Sequence, residues 1–190
     1  MNEKIYRVLK SGHIGDDVAN DVASKFKPVS KRSDILLPKG RVANKIFFID
    51  SGFVVLTSEI NGQLFTRHIA KENDFITVME SFTTREPSKD MLRATKHAEI
   101  HAIGYNALMA LMDKHPVLEG LFRQILQNTL IKCQARINDL LSLSAEAYYE
   151  KLIRESPYIL QAIPQYELST YLGIASQSLS RIKKKLLKLS

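Results

Sequence analysis

The sequence predicts an α+β protein, with a β-rich N-terminal part followed by one long helix and several short ones. Short β-rich runs separated by turn residues extend from residue 35 to residue 103, a spacing typical of a small antiparallel sandwich or barrel. From Pro116 the apolar residues recur every three or four positions for about 25 residues, which predicts a single long helix. Two short amphipathic stretches on either side of Gly173 predict a pair of helices joined by a tight turn.

Length and composition indicate a globular protein of the cytoplasm. The 190 residues, 45% of them hydrophobic, can form one ordinary domain or two small ones with a buried core. We expect no transmembrane helix and no secretion, because the sequence shows neither a long uncharged apolar run nor a charged-then-apolar leader. The single cysteine, Cys133, cannot form an internal disulfide or complete a zinc or iron–sulfur site, which suits a reducing compartment.

The β-rich part begins after a polar, weakly helical segment at the start of the chain. Turn residues such as those at 38–40 separate the strands. Asn61-Gly62 lies between two β-rich runs and is the strongest short signal for a hairpin, because a type I′ turn requires positive φ at both positions. The predicted strands cover residues 35–37, 46–49, 53–57, 64–69, 75–78 and 91–103.

The long predicted helix carries a wide apolar stripe and contains neither Gly nor Pro after Gly120. A helix of this length after a compact β domain usually needs a partner surface, and a parallel helix from a second copy is the simplest candidate. The alternative is that the stripe packs only on the β-rich part of its own chain. The candidate dimerisation residues are Leu118, Leu121, Phe122, Ile125, Thr129, Cys133, Ile137 and Leu140.

A further helix is predicted from Ser144 to Glu155. The hydroxyl of Ser144 suits an N-cap, and Glu146 in the first turn complements the positive end of the helix dipole. The pair Ser156-Pro157 ends the helix, because proline cannot continue it.

The last two predicted helices have the pattern of a helix-turn-helix. Gly173 lies where the end of the first helix favours a left-handed residue. In the second helix the spacing of Leu179, Ile182 and Leu186 predicts a buried face. The opposite face carries Gln177, Ser180, Arg181, Lys184 and Lys188.

Charge and side-chain chemistry favour double-stranded DNA as the partner of these helices. Residues 176–190 carry five basic side chains and no acidic one, while the net charge of the chain is +7. Arg can form two parallel hydrogen bonds with guanine, Gln can do so with adenine, and Ser and Lys suit phosphate oxygens. The alternatives are a solvated basic terminus and a membrane-surface helix, although membrane-surface helices usually have bulky apolar anchors.

A β-rich domain, one long helix and a helix-turn-helix, in that order, resemble the Crp/Fnr family of bacterial transcription regulators over residues 25–190. Residues 46–54 look like the strand–glycine–strand core of that family, and residues 73–76 look like its Gly-Asp-Phe-Ile motif. Residues 172–174 with 178–182 look like the core of its recognition helix. A subgroup common in Bacteroidetes is suggested by Leu143-Ser144-Ala145-Glu146, Tyr149 and Ile163-Pro164-Gln165.

The resemblance implies three parts: a jelly-roll-like antiparallel β-roll of the cyclic-nucleotide-binding type with an N-terminal helix (residues 1–116), a dimerisation helix (117–142) and a DNA-binding domain (143–190). It also implies a homodimer that binds a pseudo-palindromic operator, with RNA polymerase as a further candidate partner and no enzymatic activity. The sequence ends soon after the second helix. We therefore expect the β-hairpin wing of many members to be absent or upstream, with little or no wing in the C-terminal domain.

The recognition helix differs from the family pattern at its start. Ala175 occupies the position where many members have a Ser or Thr N-cap, and the next residue is a candidate to cap instead. The missing wing and the missing Ser or Thr N-cap favour an alternative function. In this alternative the protein is a β-roll dimer that binds a small molecule or a protein and keeps a vestigial DNA-binding tail. By position in the motif, the DNA-binding candidates are Ser176, Gln177 and Arg181 for the bases, and Ser178, Ser180 and Lys184 for supporting or phosphate contacts.

The effector pocket departs further from the family. Members that bind cyclic nucleotides carry Gly-Glu-Leu after Gly-Asp-Phe-Ile, and an Arg-Ser or Arg-Thr pair about a dozen residues later. Here Val78 replaces the Glu that holds the ribose, and Ser88 replaces the Arg that neutralises the phosphate. Arg85 and Arg93 are weak substitutes, so we predict that neither cyclic AMP nor cyclic GMP is the effector. The pocket candidates are Val78, Met79, Glu80, Ser88 and Lys89, and an unknown small-molecule effector is left open.

No cofactor or metal is predicted. The cysteine cluster of oxygen-sensing members is missing from this sequence. His97 and His101 stand four residues apart, but in a strand that spacing separates the rings by roughly 13 Å, too far for one metal ion. No residue pattern supports haem ligation. Neither paired carboxylates nor a nucleophile with a nearby base suggests an enzyme.

Overall fold

The computed structural model describes residues 2–30 and 34–186, and it confirms the predicted α+β class. Helices α1 (Glu3–Ser11) and α2 (Asp16–Lys25) open the chain. The strands are β1 (Lys27–Pro28), β2 (Ile35–Leu37), β3 (Lys45–Ser51), β4 (Phe53–Ile60), β5 (Gln63–Lys71), β6 (Phe75–Ile76), β7 (Asp90–Ala94) and β8 (Glu99–Gly104). The other helices are α3 (Met79–Thr84), α4 (Tyr105–Lys114), α5 (Val117–Ser142), α6 (Ala145–Glu155), α7 (Ile159–Ala162), α8 (Gln165–Tyr171) and α9 (Ser176–Leu186).

The strands form two four-stranded antiparallel sheets that share one core. Their strand orders are β1-β8-β3-β6 and β2-β7-β4-β5, which is the predicted jelly-roll-like β-roll. Phe48 of β3, Val54 of β4 and Leu92 of β7 are completely buried between the sheets. Ile5 of α1 and Leu118 of α5 belong to the same core, so both helices cover the roll.

The hairpin between β4 and β5 has the predicted turn and an unpredicted bulge. Asn61 and Gly62 have φ angles of 52° and 76°, as a type I′ turn requires. Further along, Leu56 pairs with His68 but Thr57 pairs with Thr66, so one residue of β5 between these pairs is extra. A bulge of this kind turns two consecutive side chains toward the same side of the sheet. This residue is Arg67, and its side chain lines a cavity that is described below.

A second hydrophobic core joins the C-terminal helices to the outer face of the sheet β2-β7-β4-β5. Phe53 and Val55 of β4 pack there with Tyr148, Leu168 and Leu179. Val54, between them in sequence, faces the core of the roll. Because alternate side chains of a strand point to opposite faces, β4 contributes to both cores. The sequence pattern did not predict this docking.

Several local elements differ from their predictions. Only Phe75–Ile76 forms a strand where residues 75–78 were predicted to, and α3 follows directly. The predicted run 91–103 is divided by a turn in which Ala98 N donates to Thr95 O at 3.0 Å. Helix α4 was not predicted, because its short apolar spacing merges with that of the strand before it. Helix α5 covers the range in which the periodicity predicts one long helix.

Candidate functional site

Helices α8 and α9 form the predicted helix-turn-helix. Gly173 between them has a φ of +71°, the left-handed conformation that ends a helix without steric cost to glycine. Its N–H donates to Thr170 O at 3.2 Å, and Ile174 N–H donates to Ser169 O at 3.0 Å, so the last turn of α8 is closed by backbone hydrogen bonds. The turn therefore fixes the angle at which α9 leaves α8.

Helix α9 has one buried and one exposed face, as predicted. Leu179 is fully buried, and Ile182 and Leu186 are half-buried against the same core. The side chains that face solvent include Gln177, Arg181 and Lys184, and Ser178 and Ser180 are half-buried beside them. The described part of α9 carries no acidic residue in its first turn and three lysines in its last, Lys183, Lys184 and Lys185. Lys188, predicted on the same face, lies outside the described residues.

The start of α9 corrects one expectation. Ser176 does not cap the helix: it is the first helical residue, and its hydroxyl lies 2.9 Å from the hydroxyl of Ser169 in α8. Ser169 donates its only hydroxyl proton to Tyr166 O at 2.8 Å, so the proton of the Ser176–Ser169 bond comes from Ser176. The hydroxyl is used here because α8 and α9 approach closely at their crossing. The sequence gives no sign of that proximity.

Helix α6 packs against the buried face of α9. Its predicted N-cap is confirmed, since Ala147 N–H donates to Ser144 Oγ at 3.2 Å. Glu146 in the first turn forms an ion pair with Lys185 of α9 at 2.7 Å. This contact orients one lysine of the basic helix toward the protein and leaves its neighbours Lys184 and Arg181 toward solvent.

Polar contacts hold α8 against the β-roll. Glu167 accepts two hydrogen bonds from Arg93 of β7, at 3.1 and 2.5 Å, with both side chains largely buried. Thr66 of β5 donates its N–H to Thr170 Oγ1 at 3.1 Å, and Tyr166 donates its hydroxyl to Leu64 O at 3.0 Å. Sequence reasoning missed this interface, because the partners lie about 70 to 100 positions apart along the chain.

Arg136 of α5 completes the same interface. Its guanidinium donates to Tyr171 O at 2.8 Å and lies 4.3 Å from the centre of the Tyr171 ring. It also donates to Thr66 O at 3.4 Å, so α5, β5 and α8 meet at one side chain.

The candidate dimerisation residues occupy three different environments along α5. Leu118 is buried in the roll of its own chain, and Leu121 and Phe122 pack against that core. Ile125 and Thr129 line a cavity described below. Cys133, Ile137 and Leu140 are exposed on the second half of the helix. The exposed second half also carries apolar residues outside the candidate set, Leu130, Ile131 and Leu141.

A cavity of about 340 Å³ lies between the β-roll and α5. Of the predicted pocket residues, Val78, Met79 and Glu80 line it. Ser88 and Lys89 do not: the Ser88 hydroxyl donates to Asp90 O at 2.8 Å in its own turn, and Lys89 is exposed near Glu80. The weak substitutes lie elsewhere too. Arg85 donates to Ala43 O and stacks on Tyr105, and Arg93 binds Glu167.

The arginine that does line the cavity is Arg67, at the bulge of β5. It pairs with Asp90 at 2.9 Å, and Asp90, almost fully buried, also accepts a hydrogen bond from Ser58 at 2.5 Å. Sequence reasoning missed Arg67 and Asp90 because a bulge breaks the two-residue alternation. The motif positions lie along residues 73–89, whereas Arg67 reaches the cavity from β5, which the motif does not include.

His68, the next residue of β5, also lines the cavity. Burial lowers its pKa below the ordinary value of 6.5, against the opposite effect of Asp74. The imidazole is therefore neutral at pH 7 and offers one donor and one acceptor. Among the described residues, none forms a hydrogen bond with this ring, and no group of three or more His, Cys, Asp or Glu residues is placed to hold a metal ion. No helix in the described ranges is long and apolar enough to cross a membrane.

Comparison with known proteins identifies the fold. No family model and no curated protein matches the sequence. The global regulator CLP of Xanthomonas campestris, described as c-di-GMP responsive, is 17% identical with a TM-score of 0.64, and 92% of each chain is covered. A structure from Eubacterium rectale assigned to the Crp/Fnr family of transcriptional regulators is 11% identical with a TM-score of 0.68, covering 93% of this chain and 85% of that one.

The β-roll alone has similar solved structures as well. A cyclic nucleotide-binding domain from Methylobacillus flagellatus is 19% identical with a TM-score of 0.61, covering 71% of this chain and 81% of that one. At these identities the similarity establishes the fold: a β-roll of the cyclic-nucleotide-binding type followed by a helical C-terminal unit. The subgroup suggested by residues 143–146, 149 and 163–165 stays a prediction.

Proposed function

We propose that the protein is a cytoplasmic, homodimeric, DNA-binding transcription regulator that binds a pseudo-palindromic operator through α9. The observation that carries the proposal is the helix-turn-helix, in which Leu179 is buried while Gln177, Arg181 and Lys184 face solvent. A helix with this exposed face fits the major groove of DNA. In the proposal residues 1–116 form the effector domain, 117–142 the dimerisation helix and 143–190 the DNA-binding domain.

The proposed contacts follow from side-chain chemistry. Arg181 and Gln177 can each form two hydrogen bonds with one base edge, and Ser176 is a further base-contacting candidate. Lys184, Ser178 and Ser180 suit the phosphates on either side. The regulator CLP and the Crp/Fnr structure from Eubacterium rectale support this assignment, since their names describe regulators and they share the fold over most of the chain.

The proposed dimer uses the exposed half of α5. Ile137 is 53% exposed and Leu141 is 82% exposed, which is unusual for large apolar side chains that follow one another on the same helix. A parallel copy of α5 would cover them and would place the two copies of α9 on the same side of the dimer. Residues nearer the start of α5 pack on their own roll and contribute less in this arrangement.

The proposed effector is neither cyclic AMP nor cyclic GMP. A cyclic phosphate needs a cation that is free to pair with it, but Arg67 is already bound to Asp90. Val78 cannot accept a hydrogen bond from a ribose hydroxyl. Ser88, which occupies the position of the family's arginine, uses its hydroxyl in its own turn.

The decisive experiment measures the binding of Arg181→Ala to DNA fragments from the protein's own locus, with Arg123→Ala, an exposed position on α5, as the control. We expect Arg181→Ala to lose about 1–3 kcal/mol of binding free energy on the preferred sequence and much less on unrelated DNA. Arg123→Ala should bind like the wild type. An equal loss on every sequence would show that Arg181 contacts phosphate only.

The alternative function is a ligand-binding β-roll dimer with a vestigial DNA-binding tail. One observation favours it: the hydroxyl of Ser176, a base-contacting candidate, is engaged with Ser169 instead of facing solvent. Dimerisation without DNA binding at low salt, where phosphate contacts are strongest, would support this alternative.

A further inference from the structure

We propose that the cavity between the β-roll and α5 binds an uncharged, largely apolar small molecule with one hydrogen-bonding group directed at His68, and that this binding is transmitted to α8 through the bulge in β5. The ligand-binding part stands independently of DNA. The transmission to α8 rests on the proposed regulatory function.

The charges around the cavity favour an uncharged ligand. Five charged side chains line it, and within the described chain each has an ion-pair partner. Arg67 pairs with Asp90 at 2.9 Å, Lys132 with Asp74 at 2.8 Å, and Glu80 lies 3.8 Å from Lys89. An anion entering the cavity would have to compete with a carboxylate for its cation, and a cation would meet the reverse problem.

The cavity wall is otherwise suited to an apolar molecule. Side chains from the roll, α4 and α5 converge there, and most of them are aliphatic, aromatic or thioether groups. Binding an apolar molecule to such a surface is favourable, because it removes apolar area of the ligand from water. Representative lining residues are Leu56, Phe75, Ile103, Met112, Phe122 and Ile125.

His68 supplies the polar group that orients the ligand. Its ring lines the cavity and has no hydrogen-bond partner among the described residues, whereas the hydroxyls of Thr77 and Thr129 already donate to backbone carbonyls. A neutral imidazole can donate to a carbonyl or accept from a hydroxyl. The ring is half-buried at the cavity wall, so a ligand group that hydrogen-bonds to it is held in one orientation.

The bulge connects this site to the helix-turn-helix within three consecutive residues. Arg67 and His68 line the cavity, and Thr66 accepts and donates hydrogen bonds on the opposite face of the sheet. Its N–H and hydroxyl contact Thr170 of α8, and its carbonyl contacts Arg136 of α5. A ligand that moves the bulged segment therefore changes the contacts of α8 directly, and the effect must be reciprocal.

Ligand binding is tested with the full-length protein and Nile red, an uncharged apolar dye whose fluorescence increases in apolar sites. Leu126→Trp fills the cavity from α5, and Gln127→Trp places the same side chain on the exposed face of that helix. We expect saturable binding to weaken at least about tenfold in Leu126→Trp and to be unchanged in Gln127→Trp. Equal binding by both variants would overturn the proposal.

Ligand class is tested by displacing Nile red with 1-octanol, octanoate and cyclic AMP at neutral pH. The proposal predicts that 1-octanol displaces the dye at the lowest concentration, and that His68→Phe, which keeps an aromatic ring without its hydrogen bonds, weakens 1-octanol selectively. Stronger displacement by octanoate or by cyclic AMP would overturn the assignment of an uncharged ligand.

Transmission is tested by amide hydrogen exchange in residues 165–171 with and without 1-octanol, in wild type and in Arg181→Ala. Both proteins should show altered exchange in this segment, because the altered contacts lie on α8 and not on the DNA-facing side of α9. Unchanged exchange on ligand binding would disprove the transmission. If the wild-type protein does not recognise DNA but still shows ligand-dependent exchange in α8, the proposed regulatory function is wrong and the ligand proposal stands.

Discussion

At the scale of single residues, Gly52 shows how a local conformation and a close contact act together. Its φ is +81°, and a Cβ built on it would lie 2.7 Å from Cα of Ala98. We expect Gly52→Ala to lower the free energy of unfolding by more than the 1–3 kcal/mol or so typical of left-handed strain alone. Chemical denaturation measures the change.

The matched control is Gly62→Ala in the hairpin turn. Gly62 has a similar φ of +76°, but a Cβ added to it would meet nothing within 4 Å, so only the backbone strain applies. The difference between the two substitutions isolates the contact with Ala98. Equal losses would contradict the packing described at Gly52.

His68 predicts a pH dependence of stability. In the folded state burial keeps the pKa of His68 below its unfolded value of 6.5. The positive charges of Lys132 and Arg136 lower this pKa further, whereas the negative charge of Asp74 raises it. The unfolded chain therefore binds more protons below pH 6.5, and stability falls as the pH decreases from there toward the folded pKa. Thermal unfolding between pH 7.5 and 5 should show a shallower fall in His68→Gln than in wild type.

The control for this titration is His97→Gln, at an exposed position. It should follow the wild-type profile. An identical profile for His68→Gln and wild type would mean that the burial of His68 has no effect on proton binding.

Residue-level prediction from the sequence worked where the signal is local. The Asn61-Gly62 turn, the left-handed Gly173 and the Ser144 cap each depend on neighbours within four positions. Arg67 and Asp90 were missed because they meet only after two strands pair and one of them bulges. Ser88 was placed in the pocket by motif position, but its hydroxyl bonds within its own turn.

At the scale of elements, a pair of charged side chains that is largely buried links β7 of the roll to α8. Arg93 and Glu167 form two hydrogen bonds and are only 22% and 16% exposed. We expect Arg93→Ala to reduce the unfolding free energy by about 1.5–3 kcal/mol, the usual range for a hydrogen bond to a charged group. It should also increase amide exchange in α8.

An exposed pair of the same type provides the comparison. Arg7 and Glu3 of α1 form an ion pair at 2.6 Å but are 71% and 73% exposed. Solvent screening limits such pairs to about 0.5 kcal/mol, so Arg7→Ala should change stability little. If the two substitutions cost the same, the burial of the Arg93–Glu167 pair has no energetic significance.

Element boundaries were predictable in proportion to the length of the repeating pattern. The 26 residues of α5 have a clear period, whereas the six residues of α3 are too few to establish one. The period of α5 also could not show which part of its apolar stripe packs on the β-roll and which part is exposed. Only the fold reveals that its first part lies on the roll and its second part is exposed.

At the scale of the whole molecule, the exposed half of α5 predicts self-association. Ile137→Glu places a charge in the proposed dimer interface, and the dimer should dissociate to monomers in analytical ultracentrifugation. The fold of each chain should persist, because Ile137 is 53% exposed within it. Ala135→Glu, an exposed position on the opposite side of the same helix from Ile137, is the control and should stay dimeric. A monomeric wild type would refute the interface.

The order of the parts followed from the sequence because each part has its own periodicity: two in the strands, three to four in the helices. Their mutual packing did not follow. Thr66 and Thr170 meet across 104 positions, and no local pattern encodes such a pairing. The cavity likewise arises from several elements that the sequence presents as separate.

Strand β4 contributes side chains to both hydrophobic cores and so couples the two halves of the molecule. Its side chains alternate between the core of the roll, through Val54, and the core of the C-terminal helices, through Phe53 and Val55. Separating the two halves would expose Phe53 and Val55 to water on a paired strand. The halves are therefore poor candidates for independent folding, and the strand makes the unfolding of one half a perturbation of the other.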